Sequence, residues 1–299
     1  MQSATAGQYK DQGSSLMPRE IETLFPGLLQ LKNNGLGKDV YRLIKEDFGR
    51  DNRVLFNVDV PENTPVKGSN PYMRWAVGPR LRKLCTDYYG YDVELLKPAV
   101  SEYALNIDRL ADVASTYEDL GLVVYSLNHS NDRLAQRLVS QAKERGISIE
   151  LPMVFYHLKT VKDSEFPDGL TFDLDDIAVA YHVPILLQIL LQKENIGDFD
   201  ANDPQLLISG FPSELGKGGR TLFAAKEGLK RFFRDRHYLS ADNNNLSSST
   251  DSGRISFVKK GAPTQNLEAH IIDAVNAERE RQRQIAEVEA WATRLHTPA

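Results

Sequence analysis

Behind a glycine-rich loop, the segment from Gly210 to Tyr238, GFPSELGKGGRTLFAAKEGLKRFFRDRHY, concentrates residue types suited to holding an anion. Backbone amides freed at Gly218 and Gly219, with Lys217 and Arg220 beside them, supply donors and positive charge where a helix would begin. Residues 217–236 carry seven cations and two carboxylates, in a chain whose formal net charge is −5. The spacing predicts a helix from about Arg220 to Arg236, with Leu222, Ala225, Leu229, Phe232 and Phe233 packing inward. Lys217, Arg220, Lys230, Arg231 and Arg234 are then the residues expected to touch phosphates, independently of base sequence. The plainer account is a flexible loop followed by a solvated charged face. The loop is neither a Walker A motif, because Lys217 precedes the glycine pair, nor a dinucleotide fingerprint, because Thr221 stands at the third glycine position.

A second cluster is acidic. In KDSEFPDGLTFDLDD, the carboxylates Asp173, Asp175 and Asp176 have the hard oxygens that Mg²⁺ prefers, which would suit phosphoryl-transfer or hydrolytic chemistry. Asp168-Gly169 reads more simply as a turn, and Asp173 to Asp176 as the cap of a helix over 175–192. His157, Lys159 and Asp163 miss the spacing of a phospholipase D-type nuclease motif by one residue, and there is no second copy. Asn128 to Asp132 reads as a capping turn, with Ser130 the candidate cap.

Cys85 is the single cysteine, so neither an intrachain disulfide nor a multi-thiolate metal site is available. It sits between apolar neighbours and reads as a buried structural thiol. The hydrophobic fraction of 41% and charged fraction of 26% are those of a globular chain, and the negative balance restricts any polyanion contact to a local patch. The first residues have no apolar run for a signal peptide. The longest apolar stretch, Val183 to Leu191, contains Pro184 and Gln188 and is too short for a membrane span, so an intracellular, cytoplasmic setting is expected.

The elements that must position these groups follow from periodicity. Residues 1–16 read as a flexible arm and 17–238 as the body. Helices are expected over 18–31, 40–48, 72–89 and 107–117, and strands over 54–60 and 91–96. Leu122 to Leu127, a helix striped by Leu134, Leu138 and Ala142, and a strand from Ile147 to His157 compose a βαβ unit, which predicts a parallel pair. Leu206 to Ile208 reads as a strand, 239–253 as a flexible linker, Ile255 to Val258 as a strand, and the residues from Leu267 onward as an amphipathic helix.

The resulting expectation is a mixed, helix-rich α/β fold with a small, partly parallel sheet. The leading functional reading is a non-enzymatic protein that binds DNA, RNA or another phosphate-bearing partner and self-associates through its terminal segments, in the style of a viral or phage accessory protein. Two alternatives stand beside it: an enzyme using the loop with Mg²⁺, and a scaffold with no small ligand.

Overall fold

The computed structural model describes residues 28–49, 52–56, 70–99, 101–102, 118–127, 132–235, 237–249, 255–259, 280 and 283–284. The fold is mixed α/β. Two sheets organise it. β1 (Leu28–Gln30), β2 (Val93–Leu95) and β10 (Ser256–Lys259) form a small one in the order β1-β10-β2. The larger has seven strands in the order β5-β4-β3-β8-β9-β7-β6. These are β3 (Glu118–Tyr125), β4 (Met153–Lys162), β5 (Leu170–His182), β6 (Ile196–Phe199), β7 (Arg220–Ala224), β8 (Leu229–Arg234) and β9 (Tyr238–Ala241). The pairing is antiparallel except between β7 and β9.

Helix α1 (Gly35–Phe48) packs on α3 (Pro71–Leu84), while α2 (Arg53–Phe56) makes a single turn. Asn70 caps α3 by accepting the Met73 amide at 2.7 Å, and Pro71 opens its first turn, where a missing N–H costs nothing. Residues Cys85–Tyr89 continue α3 as one π-helical turn. α3 lies against the sheet: Tyr72 stacks on Phe172 at 4.3 Å, Trp75 Nε1 donates to the Gly121 carbonyl at 2.7 Å, and Thr160 donates to the Tyr72 carbonyl. Gly121, at φ +71°, lets Arg74 and Trp75 approach its backbone so closely that a Cβ would stand 2.6 Å from Arg74 Cδ. α4 (Arg133–Glu144), capped by Asp132, packs on β5 through its Leu134, Leu138 and Ala142 stripe; α5 (Pro184–Leu190) and α6 (Leu206–Ser209) follow.

Several expectations are corrected. β3 and β4 flank α4 but pair antiparallel, with Tyr125 opposite Met153, because residues 145–152 return the chain to the end where β3 finished. The helix expected over 175–192 is strand to His182, since Ile177, Val179 and Tyr181 alternate with period two, and helix begins only at Pro184. Residues 53–56 are helical and 28–30 a strand, the reverse of expectation, and 206–209 form a helical turn. The basic helix is absent: its residues form β7 and β8, separated by a turn at Gly228 with φ +78°. The segment expected to be a linker starts inside the larger sheet, with Leu239 to Ala241 buried in β9. The strand expected at 255–258 exists, paired to β1 and β2. The N-terminal arm, Ser130 and the helix over 107–117 lie outside the described residues, as does the C-terminal helix apart from the helical Glu280, Arg283 and Gln284. No helix among the described residues is long and apolar enough to cross a membrane.

Candidate functional site

The predicted cations do not share an exposed face. Arg231 and Arg234 lie on β8, central in the larger sheet and buried on both sides. A buried guanidinium needs an acidic partner, and β3 supplies two at its start. Arg231 Nε donates to Asp119 Oδ2 at 3.0 Å, and its Nη1 donates to the Ser248 carbonyl. Arg234 Nη2 donates to Glu118 Oε2 at 2.7 Å, while Arg74 from α3 reaches Glu118 Oε1 at 3.3 Å and the Asp119 carbonyl at 2.9 Å. Ser101 completes the carboxylate by donating to Glu118 Oε2 at 2.9 Å. Arg220, at the start of β7, is paired with buried Glu102 and lies over the Phe199 ring. Burial pushes the Asp119 carboxyl up, against the opposing pull of the Arg231 guanidinium, the Gly121 amide and Arg74.

The glycine loop has a steric role. A Cβ at Gly218 would stand 1.7 Å from the Phe199 carbonyl oxygen, so this residue is where the loop lies directly on β6. Gly216 donates its amide to the Asp198 carbonyl at 2.9 Å, and Lys217 and Gly219 are exposed. The sequence showed seven cations close together. What it could not show was Arg74, Glu102, Glu118 and Asp119, distant in the chain. Their signal was Glu118-Asp119 placed directly before the apolar run Leu122 to Tyr125, where charge enters a buried strand.

Lys230 differs from its neighbours. It lines a cleft of about 1210 Å³ bounded by the amino end of α3 (Tyr72), the cap and first turn of α4 (Asp132, Arg133), the β4–β5 connection (Ser164 to Asp168), the turn before β8 (Glu227, Gly228) and residues 244–247. The Lys230 side chain is mostly buried and has no hydrogen bond or ion pair among the described residues. Burial lowers its pKa, only partly offset by the charges of Asp132, Asp242 and Glu227. Asp132 is fixed: its Oδ1 accepts the Ala135 amide at 2.9 Å and its Oδ2 the Leu229 amide at 2.7 Å. Arg133 is engaged by Glu165 at 2.9 Å across the cleft rim. Tyr72, whose hydroxyl is held well above its ordinary pKa by burial and by Asp168 and Asp132, is the donor on the α3 side.

The acidic candidates are dispersed. Asp173 accepts from Arg137 Nε at 2.8 Å and from Gln141 at 2.6 Å, holding α4 to β5. Asp175 Oδ1 accepts the Asp176 amide, and Asp176 is exposed. Among the described residues no group of three His, Cys, Asp or Glu side chains converges as a metal site. Cys85 is buried, with its thiol pushed up to about 11 by burial. No family model, curated protein or solved structure matches this chain.

Proposed function

We propose that the protein is a non-enzymatic binding protein whose cleft holds a small polar ligand through an anionic group, phosphate or carboxylate, directed at Lys230. The observation that carries this reading is the unpartnered ammonium at the wall of the cleft. Lys230 has already lost much of its water, so an incoming anion restores a counter-charge without a fresh desolvation cost on the protein side. Asp132, Asp168 and Glu227 share that wall. They favour a ligand that also presents ammonium or hydroxyl donors, and they disfavour a polynucleotide, whose successive phosphates would meet carboxylates. Polynucleotide binding also has less support because Arg220, Arg231 and Arg234 are engaged by the protein's own carboxylates. The test is thermal unfolding with inorganic phosphate, an amino-sugar phosphate, single-stranded DNA and RNA, and Mg²⁺. Stabilisation by the first two that disappears in Lys230→Met supports the reading. Equal stabilisation of Lys230→Met, or stabilisation by nucleic acid alone, rejects it; a response to Mg²⁺ alone supports the metal-dependent enzyme instead.

The same amine favours one enzymatic reading. A lysine with a lowered pKa is a nucleophile. Its nitrogen would add to the carbonyl carbon of an aldehyde or ketone ligand, and the oxygen would leave as water with the amine's two protons, giving an imine. Borohydride reduction followed by mass spectrometry detects that adduct on Lys230, and an adduct spread over the exposed lysines removes this reading.

A further inference from the structure

We propose that the cleft takes a basic α-amino acid, with its carboxylate on Lys230, its α-ammonium beside Asp132 and its side-chain cation at Asp168, next to the Tyr72 hydroxyl. The proposal rests on the anion reading of Lys230 given above and adds the rest of the ligand. Lys230 and Tyr72 both line the cleft, are only 8% and 3% exposed, and make no side-chain hydrogen bond or ion pair among the described residues. Polar groups buried that deeply are normally paired, so each marks a place where a ligand supplies the partner. Asp132 lies within electrostatic reach of both: after burial, Asp168 and Asp132 are what hold the Tyr72 hydroxyl above its ordinary pKa, and Asp132 is the first of the charges that oppose burial at Lys230. The Tyr72 ring is held in place by stacking on Phe172 at 4.3 Å.

The charge pattern of the cleft selects the ligand class. Arg133 and Glu165 answer each other at the rim. Before Glu227 is counted, Asp132 and Asp168 then face Lys230, two carboxylates to one ammonium. A bare anion would satisfy Lys230 and leave both carboxylates without a counter-charge. A bare diamine would satisfy the carboxylates and leave the ammonium buried and unpaired. One carboxylate together with two cationic groups matches all three, and that is the pattern of lysine, ornithine or arginine. Asp132 can take its share: each oxygen accepts one backbone amide, from Ala135 and Leu229, and has a second lone pair to offer. Asp168 is exposed in the β4–β5 connection and makes no hydrogen bond or ion pair among the described residues.

Calorimetric titration of the full chain compares L-lysine with L-norleucine, which lacks the side-chain ammonium, and with cadaverine, which lacks the carboxylate. L-Lysine should bind roughly tenfold or more tightly than either, the margin of one charge-assisted hydrogen bond. Asp168→Asn should erase its advantage over L-norleucine and keep its advantage over cadaverine; Lys230→Met should do the reverse. Because Asp168 is exposed, Asp168→Asn should keep the melting temperature and carries the test even if Lys230→Met folds poorly. Inorganic phosphate separates this proposal from the reading beneath it. Phosphate that stabilises the natural protein but not Lys230→Met, with L-lysine and L-norleucine binding alike, overturns the amino-acid proposal and leaves the anion site standing. Phosphate without effect on either protein, with cadaverine binding as tightly as L-lysine, overturns both. An Asp168→Asn variant that keeps the full preference for L-lysine over L-norleucine also overturns the proposal.

Discussion

Arg231 and Asp119 meet across β8 and β3 with two guanidinium nitrogens, Nε at 3.0 Å and Nη2 at 2.9 Å, on one carboxylate oxygen, and both side chains are almost wholly removed from solvent. The pair belongs to a connected array with Arg74, Glu118 and Arg234 that joins α3, β3 and β8. Two charges in such a place need each other: removing one strands the other in a medium that cannot solvate it. Asp119→Leu or Arg231→Met should therefore each destabilise the protein by about 3–5 kcal/mol. The double variant Asp119→Leu with Arg231→Met should recover most of that loss. Urea unfolding of the three variants measures it, and additive losses would show that the two residues act separately.

The glycines of the loop separate a steric role from an anion cradle. Gly218→Ala drives a methyl into the Phe199 carbonyl and should lower stability by about 2 kcal/mol or more, whereas Gly219→Ala, with open space around it, should stay within about 0.5 kcal/mol. A cradle would instead show both substitutions weakening phosphate binding with stability unchanged, so thermal scans with and without phosphate distinguish the two.

His157 links stability to acid. It sits opposite the β5 bulge at residues 175–178, with φ +60°, packed against Trp75 and Tyr156, and burial together with Arg82 lowers its pKa to about 4. The unfolded chain titrates near the ordinary value of 6.5. Between the two the unfolded state binds more protons, so this residue adds nothing to the pH dependence above about 6.5 and reduces stability as pH falls from there towards 4. His157→Asn keeps a side chain that tolerates positive φ and should flatten the stability profile in that window. An imidazole that titrates near 6.5 by NMR in the native state would contradict the mechanism.

Part of the helix and strand inventory was legible because it rests on local signals: the Leu134, Leu138 and Ala142 stripe and the apolar run of β3. The failures share one cause. Arg220 to Arg234 mimics a helix until Glu102, Glu118 and Asp119 are known to receive its arginines, and those contacts span 112 to 118 residues of chain. The direction of β4 relative to β3 was hidden in the return from 145 to 152, which carries no regular structure. Lys230 was legible as a cation, while its cleft was not, since the walls come from five separated stretches brought together only by the fold.

Lys230 itself gives a prediction that depends on no knowledge of the ligand. Burial lowers its pKa from 10.5, so in the window between the folded value and 10.5 the unfolded state holds more protons and stability rises with pH. Below that window the cost of a desolvated ammonium is present in full. Lys230→Met should therefore melt higher than the natural protein at pH 7, and the two should converge as pH approaches 10.5. Phosphate should narrow the gap at pH 7 by stabilising only the natural protein, because only there does the anion find an ammonium at the cleft wall. Lys226→Met, at an exposed position in the preceding turn, should show neither effect. If Lys230→Met proves less stable at pH 7 and phosphate acts on both proteins alike, the lysine is held by partners of its own and the cleft loses its anion site.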